Sequence, residues 1–137
     1  MEEKVKNFVE IYNRNMSWNK DILDSMNIDY INKYEYTKDF VKDKLSTKTI
    51  TADDYDLDHA EVYSYDDGTL ELQVYSYESY HGVYFWANPN ENEDTYKNKK
   101  ITWIVENLDK SINETKEELN KLYSILDNEI ELRNMLK

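Results

Sequence analysis

Hydrophobic residues fall into three regimes along the chain. Over the first fifty positions Val5, Phe8, Val9, Tyr12 and Met16 recur at steps of three and four, and a second run passes through Ile22, Leu23, Met26, Ile28, Ile31, Phe40, Val41 and Leu45. Such steps put side chains on one face of a helix, so the spacing predicts two or three helices. Between 51 and 96 the period changes to two: "AEVYSY" and "TLELQVYSY" alternate, Asp66-Asp67-Gly68 between them supplies an Asp-Gly turn, and "GVYFWA" reads as a third strand. Farther on, Ile101, Val105, Leu108, Ile112, Thr115, Leu119, Leu122 and Leu126 follow a 4-3-4-3 spacing. That is the a/d pattern of a coiled-coil seam or a long bundle helix, here from about Lys100 to Leu136. The stripe is expected to pack in the core, with dimerisation through it as the alternative. Two features compete with an unbroken helix: "ITWIV" is also β-prone and reads as a fourth strand, and Ser111 with Glu114 resembles a capping box that restarts a helix.

The predicted fold is α+β: a small antiparallel β-meander of about three strands, flanked by N-terminal helices and a long C-terminal helix. A length of 137 residues fits a single domain, 1–137, with a helical part (1–50), the meander (51–96) and the long helix (97–137). Gly68, Gly82 and Pro89 are the chain's only glycines and proline, and all lie in the middle segment. The flanks therefore run without strong helix breakers while the middle turns.

Period two also assigns faces to the first two strands. Ala60, Val62 and Ser64 share a side matched by Leu70, Leu72 and Val74, a small apolar face suited to packing against helices. The opposite side carries His59, Glu61, Tyr63 and Tyr65, then Glu71, Gln73, Tyr75 and Tyr77. Tyrosine has high strand propensity, so a solvated face of this kind has a purely structural explanation. It also supplies rigid, amphipathic contact area, so the same face is expected to recognise a partner.

Charge sharpens that reading. Residues 1–50 hold nine acids and nine bases, residues 97–137 eight and eight, and residues 51–96 twelve acids and no base. The whole net charge of −12 therefore sits in the segment that forms the strands. Its β-branched and aromatic content argues against a disordered acidic tail.

Catalytic and metal-binding chemistry find little support. Asp54, Asp56 and Asp58 have the D-x-D-x-D spacing that opens a calcium loop, yet His59 stands where the loop needs Gly and Tyr65 where it needs Glu. His59 and His81 are the only histidines and lack helical H-x-x-x-H spacing; there is no Cys. With two glycines, no phosphate-cradling loop or nucleophile elbow can be assembled. No catalytic residue, metal site or cofactor is expected, and the chain is read as non-enzymatic. The N-terminus lacks an apolar signal core and no window is apolar enough to span a bilayer, so the expected setting is cytoplasmic, the host cytoplasm if the gene is a phage's, with no membrane partner.

A uniformly acidic sheet repels nucleic acid. Carboxylates interleaved with aromatics instead imitate phosphates and bases, and the expected partner is the basic surface of a nucleic-acid-binding protein or nuclease. The expected function is that of an acidic DNA mimic, a stoichiometric inhibitor of the phage anti-CRISPR or anti-restriction type. The alternatives are an immunity protein against a nuclease toxin, or an oligomeric assembly protein using the C-terminal heptads, including a homodimer through that helix. The residues expected to bind the partner are Asp53, Asp54, Asp56, Asp58, Glu61, Tyr63, Tyr65, Asp66, Asp67, Glu71, Tyr75 and Tyr77.

Overall fold

A computed structural model of the chain describes residues 1–26, 44–75 and 82–137. Helix α1 (Glu3–Ser25) is followed by a short 3-10 turn (Leu57–His59), strands β1 (Ala60–Ser64), β2 (Leu70–Val74) and β3 (Val83–Ala87), and helix α2 (Glu93–Leu136). The architecture is α+β as the periodicities predict. Of the expected second helical run, Ile22 and Leu23 belong to α1, whereas Ile28, Ile31, Phe40 and Val41 lie outside the described residues. The chain divides into two compact units, Met1–Lys99 and Lys100–Lys137.

In the first unit the strands form one sheet in the order β1-β2-β3, each neighbouring pair antiparallel. The hairpin between β1 and β2 closes through three residues, one more than a two-residue Asp-Gly turn has. Tyr65 N–H donates to Thr69 O at 2.9 Å, Gly68 N–H donates to Tyr65 O at 3.0 Å, and Gly68 adopts φ +88°. A three-residue loop ending in a left-handed residue is the geometry that needs Gly, because a Cβ there meets the carbonyl. Asp67 reinforces it by accepting a hydrogen bond from Thr69 N–H at 3.0 Å.

Helix α1 covers one face of this sheet. Val5, Phe8, Tyr12 and Met16, on one stripe of the helix, are buried with Ile50, Leu57, Ala60, Leu72, Val74 and Ala87. Rings bridge the layers: Tyr12 meets Phe85 edge-on at 5.4 Å, and Tyr55 meets Phe85 at 5.2 Å. Full burial of such side chains is worth about 1.5–3 kcal/mol each, so this stripe dominates the unit's stability. The face assigned as core from its alternation is the one α1 occupies, although Ser64, at its end, is exposed.

Asparagines of α1 fasten the surrounding loops. Asn13 brackets Ile50, donating to its carbonyl at 3.1 Å and accepting from its N–H at 2.9 Å. Asn15 accepts from Asn88 N–H at 2.9 Å, and Asn19 donates to Ser46 O at 3.0 Å. Helix α2 starts at a cap in which Asn92 Oδ1 accepts from Thr95 N–H at 2.8 Å, with Glu93 and Asp94 favourably placed at the positive end of the helix dipole. Its first turns belong to the first unit, where Lys97 pairs with Asp21 and Tyr96 packs on Trp18.

The long C-terminal helix is present as expected, and one expectation for it is corrected. "ITWIV" is helical, and α2 runs without a restart at Ser111, because nothing in 93–136 breaks the helix and its apolar spacing is continuous. The a/d stripe does not pack in a core: Ile101, Val105, Ile112, Leu119, Leu122 and Leu126 are 45–61% exposed. Residues 100–137 as helix are about 57 Å long, and the stripe is exposed from its first members, Ile101 and Val105, onward.

Replacing Gly68 with Ala forces a Cβ into the left-handed region and against the Asn90 side chain. The expected loss is about 1–2 kcal/mol in urea unfolding, most of it from the backbone because the Asn90 side chain can move aside. Unchanged stability in Gly68→Ala would contradict the turn geometry.

Candidate functional site

The side chains of opposite parity lie on the other face of the sheet, where large rings are exposed. Register aligns Tyr63, Glu71 and Trp86 in one row across the three strands, and Glu61, Gln73 and Tyr84 in the next. Tyr65 and Tyr75 extend β1 and β2 beyond these rows. Five aromatic side chains stand out from this face: Trp86 is 56% exposed, Tyr65 51%, Tyr84 46%, Tyr75 43% and Tyr63 40%. Exposed rings grouped on one face are the kind of surface on which a partner can dock.

The polar groups between the rings are tied into the face. Tyr63 donates its hydroxyl to Glu61 at 2.5 Å and lies 3.4 Å from the Tyr75 hydroxyl, which donates to Gln73 at 2.8 Å. Tyr65 donates to the carboxylate of Glu71. Glu71 is only 6% exposed, flanked by Tyr63 and Trp86 in its row. These bonds hold rings and carboxylates in fixed relation, which lowers the entropy lost when a partner orders them.

Carboxylates also set the acidity of the tyrosines. The pKa of the Tyr63 hydroxyl is raised well above its ordinary 10.0, chiefly because Glu61 accepts its hydrogen bond, and Glu71 does the same to Tyr65. Asp67 moves the other way, held below the usual carboxylate range by the Thr69 N–H.

At the hairpin end the face has a shallow, widely open depression lined by Tyr65, Asp66, Asp67, Thr69 and Trp86. No lining residue is Lys or Arg. Two rings and two carboxylates around one recess suit a guanidinium, which can stack on the rings while pairing with the acids.

The remaining sequence-predicted residues divide. Glu61, Tyr63, Tyr65, Glu71 and Tyr75 share the open face, with Asp66 and Asp67 at its hairpin edge. Tyr77 and His81 lie outside the described residues. Asp53, Asp54, Asp56 and Asp58 sit in the turns leading into β1 and not in the strand rows. Asp54 accepts from Thr51, Asp56 from His59 Nδ1 at 2.8 Å, and Asp58 pairs with the Met1 amino group at 3.2 Å. Alternate spacing therefore does not make these carboxylates converge, and among the described residues no cluster of three His, Cys, Asp or Glu could hold a metal ion. Tyr84 and Trp86 are the residues that sequence reasoning missed. Alternation within "GVYFWA" already separates them from Val83, Phe85 and Ala87, but the register that brings them beside Glu71 and Gln73 depends on pairing across the intervening segment.

If the Tyr65 hydroxyl donates to Glu71, Glu71→Gln should move one tyrosine to lower pH in a spectrophotometric titration. A raised folded-state pKa means the contribution to stability is complete below pH 10 and is lost as pH rises through the folded value. The wild-type chain should therefore lose more stability than Glu71→Gln on going from neutral to strongly alkaline pH. Identical titration curves would contradict the bond.

Comparison with protein-family models, with curated proteins and with solved structures gives no match to this chain. What the open face does is inferred from its geometry and its residues alone.

Proposed function

We propose that this protein is a non-enzymatic, stoichiometric inhibitor whose acidic, aromatic sheet face occupies the basic nucleic-acid-binding surface of another protein. The observation that carries this reading is the exposure of Tyr63, Tyr65, Tyr75, Tyr84 and Trp86 around Glu61 and Glu71, on a sheet built from a segment with twelve acids and no base. A groove that binds DNA or RNA offers Lys and Arg to phosphates and flat apolar surfaces to bases. The open face supplies the matching negative charge and ring planes in fixed positions.

Charge and rings divide the work. Carboxylates at Asp66, Asp67 and in the loop before β1 steer the encounter, while the rings provide the desolvated contact that keeps the complex together. The partner is a nuclease or defence effector, the setting the cytoplasm, and the protein an anti-CRISPR or anti-restriction factor of phage type. An immunity protein against a nuclease toxin would use the same chemistry. Among the described residues no helix is long and apolar enough to cross a membrane, in keeping with a partner met in solution.

Capture on the immobilised chain from a bacterial lysate should retain a basic nucleic-acid-binding protein at low salt and release it as salt rises. With that partner in hand, Trp86→Ala and Tyr63→Ala should each speed dissociation, at a cost of about 1–2 kcal/mol. Asp66→Asn combined with Asp67→Asn should mainly slow association and flatten its salt dependence. Glu117→Lys and Glu131→Lys should change neither rate. Binding that survives the sheet substitutions but fails with the α2 substitutions would exclude the sheet as the interface.

A further inference from the structure

The second unit, Lys100–Lys137, carries a surface that docking of the sheet does not use. Every residue from 112 to 137 is exposed. In heptad terms, Ile112, Leu119 and Leu126 occupy a positions and Leu122 a d position, while Ile125 and Ile130 widen the stripe at g and e; these six are 38–61% exposed. The opposite side is polar, with Asn113, Glu117, Asn120, Ser124, Asp127 and Glu131 at b and f. A helix this one-sided is stable in water only when its apolar side is covered, since most helical stability in proteins comes from packing of that side.

Charge selects the occupant. Residues 100–137 hold eight acids and six bases with the signs interspersed, so two copies of this segment meet with little net repulsion. Residues 51–96, with twelve acids and no base, would repel a copy of themselves and call for a basic partner. The 4-3-4-3 spacing from Ile101 to Leu126 also matches a helix with the same spacing, whose knobs fit the holes it presents. Direction follows from the two charged residues that continue the seam, Glu129 at d and Arg133 at a. Parallel helices in register would set each against its own copy, like charge on like; an antiparallel pair does not.

We propose that residues 100–137 associate with the same segment of a second copy, in antiparallel orientation. One particle then carries two acidic faces, which strengthens binding to any partner that presents its basic groove more than once. Self-association does not depend on what the sheet face binds.

Sedimentation and light scattering of the full chain test it. The wild type should have at least twice the 16.6 kDa of one chain at micromolar concentration. Leu119→Glu combined with Leu126→Glu should sediment as a single chain, with the near-ultraviolet signal of the first unit's aromatic core preserved to show that this unit remains folded. Asn120→Glu combined with Ser124→Glu adds the same charge to the polar side and should leave the mass unchanged. A wild type that stays at the mass of one chain into the high micromolar range overturns the proposal. So does an equal loss of mass in both double variants. Because the chain has no Cys, Lys137→Cys reports direction: the antiparallel pair holds the two C-termini apart and forms no disulfide within the particle, whereas rapid cross-linking within it overturns the antiparallel arrangement.

Discussion

The fold rests on the burial of one stripe of α1 against one face of a three-stranded sheet. Val5, Phe8, Tyr12 and Met16 meet Ala60, Leu72, Val74 and Ala87, and that contact fixes which side of each strand is inside. Because side chains alternate across a strand, choosing one face for the core delivers every residue of opposite parity to the other face. Glu61, Tyr63, Glu71, Gln73, Tyr84 and Trp86 are thus gathered by the same hydrophobic contact that stabilises the unit. A one-residue slip of β2 would bury Glu71 and Gln73 in the apolar layer and expose Leu72, so the composition of the open face is protected by the energetics of the closed one.

Much of this was legible in the residues, for identifiable reasons. Alternation in "AEVYSY" and "TLELQVYSY" is a local property, and the hairpin that pairs them is set by the three residues Asp66, Asp67 and Gly68. The faces of β1 and β2 followed directly. Tyr84 and Trp86 were not placed on the site because their position depends on the pairing of β3 with β2, a non-local fact. The roles of Asn13, Asn15 and Asn19 were hidden for a similar reason: a polar residue on the buried side of a helix looks like a break in the pattern until the loop backbone it binds is known. The 4-3-4-3 stripe of α2 read as core because periodicity reports one-sidedness and not what covers that side.

Acidity on the open face is organised as well as abundant. Tyrosine hydroxyls donate to Glu61 and Glu71, so the carboxylates are oriented by rings that are themselves exposed. Under the proposed function, a cationic partner would meet negative charge already held in place, saving the side-chain entropy that a flexible acidic tail would lose on binding. The acids in the loop before β1 are engaged differently, with Thr51, His59 and the Met1 amino group. In the proposed complex they would contribute to the long-range field, with the short-range contacts left to the sheet and its hairpin end.

The central claim is that this face substitutes for nucleic acid, and displacement tests it most directly. A labelled oligonucleotide bound to the captured partner, followed by fluorescence anisotropy, should be released as the chain is added, with release complete at one sheet face per binding site and shifted to higher concentration by Trp86→Ala. A ternary complex, in which chain and oligonucleotide occupy the partner together without competing, would contradict the account.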